Sequence, residues 1–185
     1  MNFISKNLKK AGIFNSILIL IATILCIINL FTVRSFFGVY VLNVSLVASL
    51  VSGMIYSCYG YKKDVANYYK GFMVLFFIAI LADCICEIPY LSSSTYSSMI
   101  STIANFARLI PLFLLAFVKD FGKKRSTICA YLVFALGLFI LCRTFIFYSN
   151  DLEYITIGLS EIASAAVGII LVNEKYADKE SRGAK

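Results

Sequence analysis

Six long apolar segments dominate the sequence and leave no room for a separate soluble domain. Apolar runs of about 18 or more residues with few charges are typical of transmembrane helices. The runs are continuously apolar, which favours helices over the alternating strands of a membrane β-barrel. Hydrophobic residues make up 61% of the chain, against about 45–50% in soluble domains. We therefore predict that residues 1–185 form one all-α polytopic membrane domain, a bundle of six transmembrane helices. The predicted helices lie at about 11–31, 36–59, 71–90, 98–118, 128–147 and 154–172.

The basic residues indicate how these helices are oriented. Lysine and arginine cluster before the first run and after the second, fourth and sixth, whereas the other loops carry only Arg34 and the acidic Asp151 and Glu153. Cytoplasmic loops of membrane proteins carry an excess of Lys and Arg. The pattern predicts a multi-pass cell-membrane protein with both termini in the cytoplasm. Its net charge of +7 suits anionic lipid, so the expected partner is the lipid bilayer and not nucleic acid.

Five ionisable side chains lie within the apolar runs and are the candidate functional residues. A charge at the bilayer centre costs roughly 2.5–3.5 kcal/mol on insertion scales, so it usually faces a partner or a water-filled cavity. Helix depths at about 1.5 Å per residue place all five, and one amide, between the midplane and the outer surface. The candidate ligand- or ion-binding residues are Asp83, Glu87, Arg108, Arg143, Glu161 and Asn43.

Two interpretations of these charges remain open. In the first, they are structural ion pairs between helices, and removing one partner leaves the other buried and unpaired at several kcal/mol. In the second, they line a polar cavity open to the outside that binds a solute or ion, or relays a proton. Three acids against two bases leave one carboxylate in excess, although Glu87 is shallow enough to reach surface water.

Small residues at four-residue spacing form predicted packing faces on the second and sixth helices. Such faces let another helix approach closely. The candidate helix-packing residues are Ser45, Ser49, Gly53, Ser160, Ser164 and Gly168. Between the third and fourth helices we predict a turn over 92–98, with Pro89 ending the third helix and Pro111 kinking the fourth beside Arg108.

Catalytic chemistry is not predicted from this sequence. It contains no histidine, which removes Ser–His and Cys–His nucleophile pairs and the H-E-x-x-H zinc site. All six cysteines lie in or at the edge of apolar runs, where they act as small buried hydrophobes. Asp83, Cys84 and Glu87 on one helix give only a weak metal signal. We expect no enzymatic activity, no cofactor and no bound metal.

In size, helix number and cytoplasmic termini the chain is similar to the substrate-binding subunits of energy-coupling-factor vitamin transporters. The similarity covers topology only and assigns no site residue, because the small Ala-x-x-x-Ala face expected on the first helix is missing. We predict a small six-helix membrane transporter, or a solute- or ion-binding membrane subunit, with a charged site in the outer half of the bilayer. The alternative is a non-catalytic interaction protein, a sensory, immunity or assembly subunit. Its Ser/Gly faces would dock a membrane protein partner or a second copy, and its charges would be structural.

Overall fold

A computed structural model describes residues 24, 27–28, 65–88, 96–119, 121–147 and 152–183. Apart from residues 24, 27 and 28, which are helical, these residues contain four helices, named here in chain order α1 to α4. Their bounds are α1 Val65–Glu87, α2 Tyr96–Phe117, α3 Lys123–Phe147 and α4 Leu152–Gly183. The described part is therefore all-helical, as predicted. Most of the predicted helices at 11–31 and 36–59 lies outside it, as do Ser45, Ser49 and Gly53.

Three of the described helices are long and apolar enough to cross a membrane. The qualifying segments lie in α2, α3 and α4, and they are Met99–Phe117, Lys123–Phe147 and Ile157–Ala177. Their composition agrees with the membrane location that the sequence predicted. Large apolar side chains on α2 and α3, such as Ile103, Ile110 and Ile146, are exposed, which suits helices whose outer faces contact lipid tails.

Three of the described helices, α1, α3 and α4, extend beyond the predicted apolar segments at the ends that carry basic residues. α1 begins 6 residues before position 71, α3 begins 5 residues before position 128, and α4 continues 11 residues past position 172. These extensions contain Lys, Arg and Glu, which are good helix formers although they are not apolar. Hydropathy therefore located the apolar part of α1, α3 and α4 and missed the polar end of each.

The connection between α1 and α2 differs from the predicted turn. α1 ends at Glu87, just before Pro89, whose ring and missing N–H oppose further helix. α2 begins at Tyr96, so the prediction of a turn over 92–98 was wrong for its last three residues. α2 then continues through Pro111 to Phe117.

The four helices form a ring in which each helix packs against its neighbours in chain order, and α4 packs against α1. Contacts between the start of one helix and the end of the next show that neighbours are antiparallel. Tyr69 of α1 meets Leu115 of α2, and Ser126 of α3 meets Tyr176 of α4. The interior is filled by apolar side chains from all four helices, including Phe72, Phe76, Ile80, Leu112, Val133, Val167 and Leu171.

Two glycines let α4 approach its neighbours closely. A Cβ atom added at Gly158 would lie 2.7 Å from Cδ1 of Leu141 on α3. One added at Gly168 would lie 3.3 Å from Cε of Met73 on α1. Ser164 is also fully buried. Ser164 and Gly168 of the predicted packing face therefore pack against other helices of the same chain. Ser160 also lies in α4, but its side chain is outside the described set.

We expect Gly158→Val to lower the thermal stability of the protein in detergent. The added methyl groups would overlap Leu141, and overpacking of this kind costs about 1–3 kcal/mol. Gly71→Ala is the matched control, because nothing lies within 4 Å of its added Cβ. Alanine is favoured over glycine in a helix interior by roughly 0.5–1 kcal/mol, so this variant should be as stable as the wild type or more so. Equal melting temperatures for the two variants would contradict the close α3–α4 approach.

Candidate functional site

Arg108 of α2 lies at the centre of a hydrogen-bonded network that joins three helices. Its Nη1 donates to Oε2 of Glu161 on α4 at 2.8 Å, and its Nη2 donates to Oδ1 of Asn105. The amide nitrogen of Asn105 donates in turn to Oδ2 of Asp83 on α1 at 3.2 Å. We call these four residues the charge network. Three of the predicted site residues, Asp83, Arg108 and Glu161, are thus brought together.

The fourth helix makes room for the guanidinium group. A Cβ atom added at Gly137 of α3 would lie 3.3 Å from Nη1 of Arg108. Any larger residue at this position would press on the nitrogen that binds Glu161. Three helices, α2, α3 and α4, therefore meet at Arg108, and α1 is joined to them through Asn105. The arginine side chain is only 1% exposed.

Three polar residues of α2 follow one face of the helix. Ser101, Asn105 and Arg108 are spaced four and three residues apart, which places them one above the other. We call this row the polar stripe of α2. At about 1.5 Å per residue it extends for roughly 10 Å along the helix axis, and its members contact each of the other three helices.

Arg143, another predicted site residue, contacts the far end of this stripe. It donates a hydrogen bond from α3 to Oγ of Ser101. Its guanidinium carbon also lies 5.4 Å from the centre of the Phe147 ring, within the range of a cation–π interaction. Arg143 therefore sits about two helical turns from Arg108 on the same side of α2.

The remaining predicted site residues are not placed by the structure. Glu87 is the last residue of α1, but its side chain lies outside the described set, and so does Asn43.

Sequence reasoning missed three residues that the site depends on: Asn105, Ser101 and Gly137. Asn105 carried a usable signal, because it is an amide within an apolar run three residues before Arg108. Ser101 carried a weaker signal, four residues earlier on the same face. Gly137 carried none, because its role follows only from the position of the α2 guanidinium beside α3.

The members of the charge network differ in how deeply they are buried and in whether their hydrogen-bonding groups have partners. Arg108 and Glu161 are both buried, so their hydrogen bond is charge-assisted and shielded from water. Nε of Arg108, however, finds no hydrogen-bond partner among the described residues. A buried donor without a partner costs about 1–3 kcal/mol. Asp83, at the other end of the network, is only partly buried. The network therefore runs from a more open carboxylate to a closed ion pair.

Such an arrangement holds charge and can redistribute it, but it contains no nucleophile with an adjacent base. Asn105 links the two halves because an amide both accepts and donates. Its oxygen faces the cation and its nitrogen faces the anion. A proton, ion or charged solute that competes for one carboxylate would change the interactions of the other through Asn105 and Arg108.

The chain matches no known protein family, curated protein or solved structure. Its function is therefore inferred from these residues themselves.

We expect the ion pair to behave as a unit in a double-mutant cycle. Arg108→Met and Glu161→Leu should each lower the free energy of unfolding by about 3–5 kcal/mol, because each leaves a buried charge unpaired. The double variant should lose far less than the sum, since apolar replacement of a whole buried pair is often close to neutral. Unfolding with a denaturing detergent in mixed micelles measures all three.

Lys70→Met is the control for this cycle. Its side chain is exposed on α1, and exposed substitutions usually change stability by less than about 0.5 kcal/mol. Additive losses in the Arg108 and Glu161 variants would show that the two residues do not interact in the folded protein.

Proposed function

We propose that the protein is a small membrane transporter, or a solute- or ion-binding membrane subunit, and that the charge network is its binding or coupling site. The observation that carries this proposal is the buried pair of Arg108 and Glu161, linked through Asn105 to the less buried Asp83. This group lies among helices of which three are apolar and long enough to cross a membrane.

The energetics of buried charge favour a functional role for the network. A buried ion pair is a poor way to stabilise a bundle, because desolvation of the two ions offsets much of their attraction. Apolar residues of similar size would serve packing as well or better. Ionisable residues within membrane helices commonly mark ion or solute pathways. A network with one partly accessible acid suits that role, since a ligand can reach Asp83 first and alter the buried pair through Asn105.

We also propose the six-helix topology, with both termini in the cytoplasm of a cell-membrane protein. The exposed basic residues support this orientation because they share one end of the antiparallel bundle. They lie at the start of α1, around the α2–α3 connection and near the end of α4: Lys70, Lys119, Lys123, Lys124, Arg125 and Lys179. Such a basic end is typical of the cytoplasmic side.

Labelling in intact cells tests this orientation. In a cysteine-free background, Ser94→Cys in the predicted outer loop should react with a membrane-impermeant maleimide. Lys124→Cys, at the basic end, should react only after the membrane is permeabilised. The opposite pattern would show that the bundle is inverted.

The functional proposal is tested on Asp83, which is only partly buried and can be replaced isosterically. Asp83→Asn keeps an oxygen acceptor for Asn105, so we expect a stability change below about 1 kcal/mol, the net value of one hydrogen bond. Loss of the carboxylate charge should abolish uptake in proteoliposomes. The assays are proton flux followed with an enclosed pH dye, and thermal shift with a panel of amino acids, amines, organic acids, Na⁺ and K⁺.

Arg125→Gln provides the matched control, because it removes an exposed charge at the basic end and should retain full activity. A wild-type protein that shows neither flux nor a thermal shift with any member of the panel would contradict the proposal. So would an Asp83→Asn variant with wild-type activity.

The second candidate function is a non-catalytic membrane interaction protein in which the network is a structural lock. The close fit of Gly137 against the buried guanidinium favours it, because little space remains around Arg108. Ser164 and Gly168, however, pack within the chain, so a partner helix would need another face. Under this alternative, Asp83→Asn affects stability or assembly and no solute produces a thermal shift.

A further inference from the structure

A second group of polar contacts closes the basic end of the bundle, away from the charge network. The hydroxyl of Tyr69 on α1 donates to the carbonyl of Leu115 on α2 at 3.1 Å. The hydroxyl oxygens of Ser126 on α3 and Tyr176 on α4 are 3.0 Å apart. Nζ of Lys175 on α4 lies 4.1 Å from the centre of the Tyr69 ring. We call these five residues the clasp, and together they connect all four helices.

The clasp provides a hydrogen-bond donor for a backbone carbonyl near the end of α2 that has no partner within its own helix. α2 ends at Phe117, and the carbonyls of the last four residues of a helix have no intrahelical partner. The carbonyl of Leu114 is used by the N–H of Val118, and that of Leu115 is taken by Tyr69 from the neighbouring helix. Burial raises the pKa of Tyr69 above its ordinary value, so its hydroxyl stays a donor.

The clasp and the charge network are well separated along the bundle. Tyr69 precedes Asp83 by 14 residues on α1 and Tyr176 follows Glu161 by 15 residues on α4, each distance corresponding to roughly 21–22 Å of helix. A buried apolar layer lies between them, containing Phe72, Phe76, Leu112 and Leu171. A path from the network to the basic end would pass this layer and then the clasp.

We propose that the clasp is the inner gate of the protein and that it is closed in this structure. The proposal rests on the transport function proposed above. Opening exchanges two neutral hydrogen bonds and the cation–π contacts of Lys175 with the Tyr69 and Tyr176 rings for bonds to water, and such exchanges have small net free energies. Lys175 is only partly buried, so its ammonium group reaches water by a change of side-chain conformation. The central ion pair need not break.

Two native cysteines report on this motion from different levels of the bundle. Cys129 lies one turn after Ser126 on α3, at the clasp, and is 8% exposed. Cys84 lies next to Asp83 on α1, at the level of the network, and is 0% exposed. Opening of the clasp uncovers Cys129 and leaves Cys84 buried, whereas unfolding of the whole protein uncovers both.

The experiment uses two full-length proteins in detergent, one retaining only Cys129 and the other only Cys84. The rate of labelling by N-ethylmaleimide is followed by mass spectrometry, with and without Tyr69→Phe or Tyr176→Phe. Each substitution removes one hydroxyl and leaves its buried partner unsatisfied. We expect about tenfold faster labelling of Cys129, the change that corresponds to one lost hydrogen bond. Labelling of Cys84 should change by less than about twofold, the spread expected for a site that the substitution does not touch.

Tyr131→Phe is the matched control, because it removes a tyrosine hydroxyl from an exposed position on the same helix as Cys129. It should leave both labelling rates unchanged. Parallel acceleration of Cys84 and Cys129 in the clasp variants, or acceleration of neither, would overturn the gate. Labelling needs no solute, so this outcome would leave the transport proposal standing. Conversely, a protein without flux but with selective opening at Cys129 would lose the transport proposal alone.

Discussion

The ion pair between Arg108 and Glu161 is the interaction on which the rest of this bundle depends. In lipid the hydrophobic effect does not drive helices together, so close packing and polar contacts have to hold them. An arginine buried inside an apolar bundle is unfavourable unless its charge is paired. Glu161 meets it from α4, Asn105 from the same helix, and Gly137 of α3 gives the space in which both contacts form. One side chain thus constrains the positions of two helices, α3 and α4, relative to α2.

α2 acts as the central polar element because its stripe of Ser101, Asn105 and Arg108 is spaced at the helical repeat. Each step along the stripe meets a different neighbour: Arg143 from α3, Asp83 from α1 and Glu161 from α4. Apolar contacts alone would allow adjacent helices to slide along one another, since many registers bury similar surface. Directed hydrogen bonds at three levels select one register. The glycine contacts of α4 then bring the backbones close in that register.

Part of the site could be predicted from the sequence, because a charged side chain within an apolar helix needs an oppositely charged or polar partner. That Asp83, Arg108 and Glu161 share one site was predicted because each needs a partner at similar depth. The sequence did not predict which acid Arg108 would bind. The position of a residue along its helix does not determine which way the helix is rotated about its axis. Glu161 accepts a hydrogen bond directly from Arg108, and Asn105 links Arg108 to Asp83. Helix ends were missed where lysine and glutamate extend a helix past its apolar part. Asn43 lies outside the described residues, as do almost all residues of the first two predicted spans. These stay predictions.

The two polar groups differ in how readily they can change, and α2 connects them. The charge network combines opposite charges in a buried setting, so breaking it is expensive. The clasp uses neutral hydrogen bonds at the basic end of the bundle, and each contributes only about 0.5–1.5 kcal/mol net. Pro111 lies between Arg108 and Leu115 on α2, and proline removes one backbone hydrogen bond and opposes the carbonyl four residues back. α2 therefore lacks one backbone hydrogen bond at Pro111, between Arg108 of the charge network and Leu115 of the clasp. In the proposed gate, a bend at Pro111 would release Leu115 from Tyr69 while Arg108 keeps its contacts, and the basic end would open around an intact ion pair.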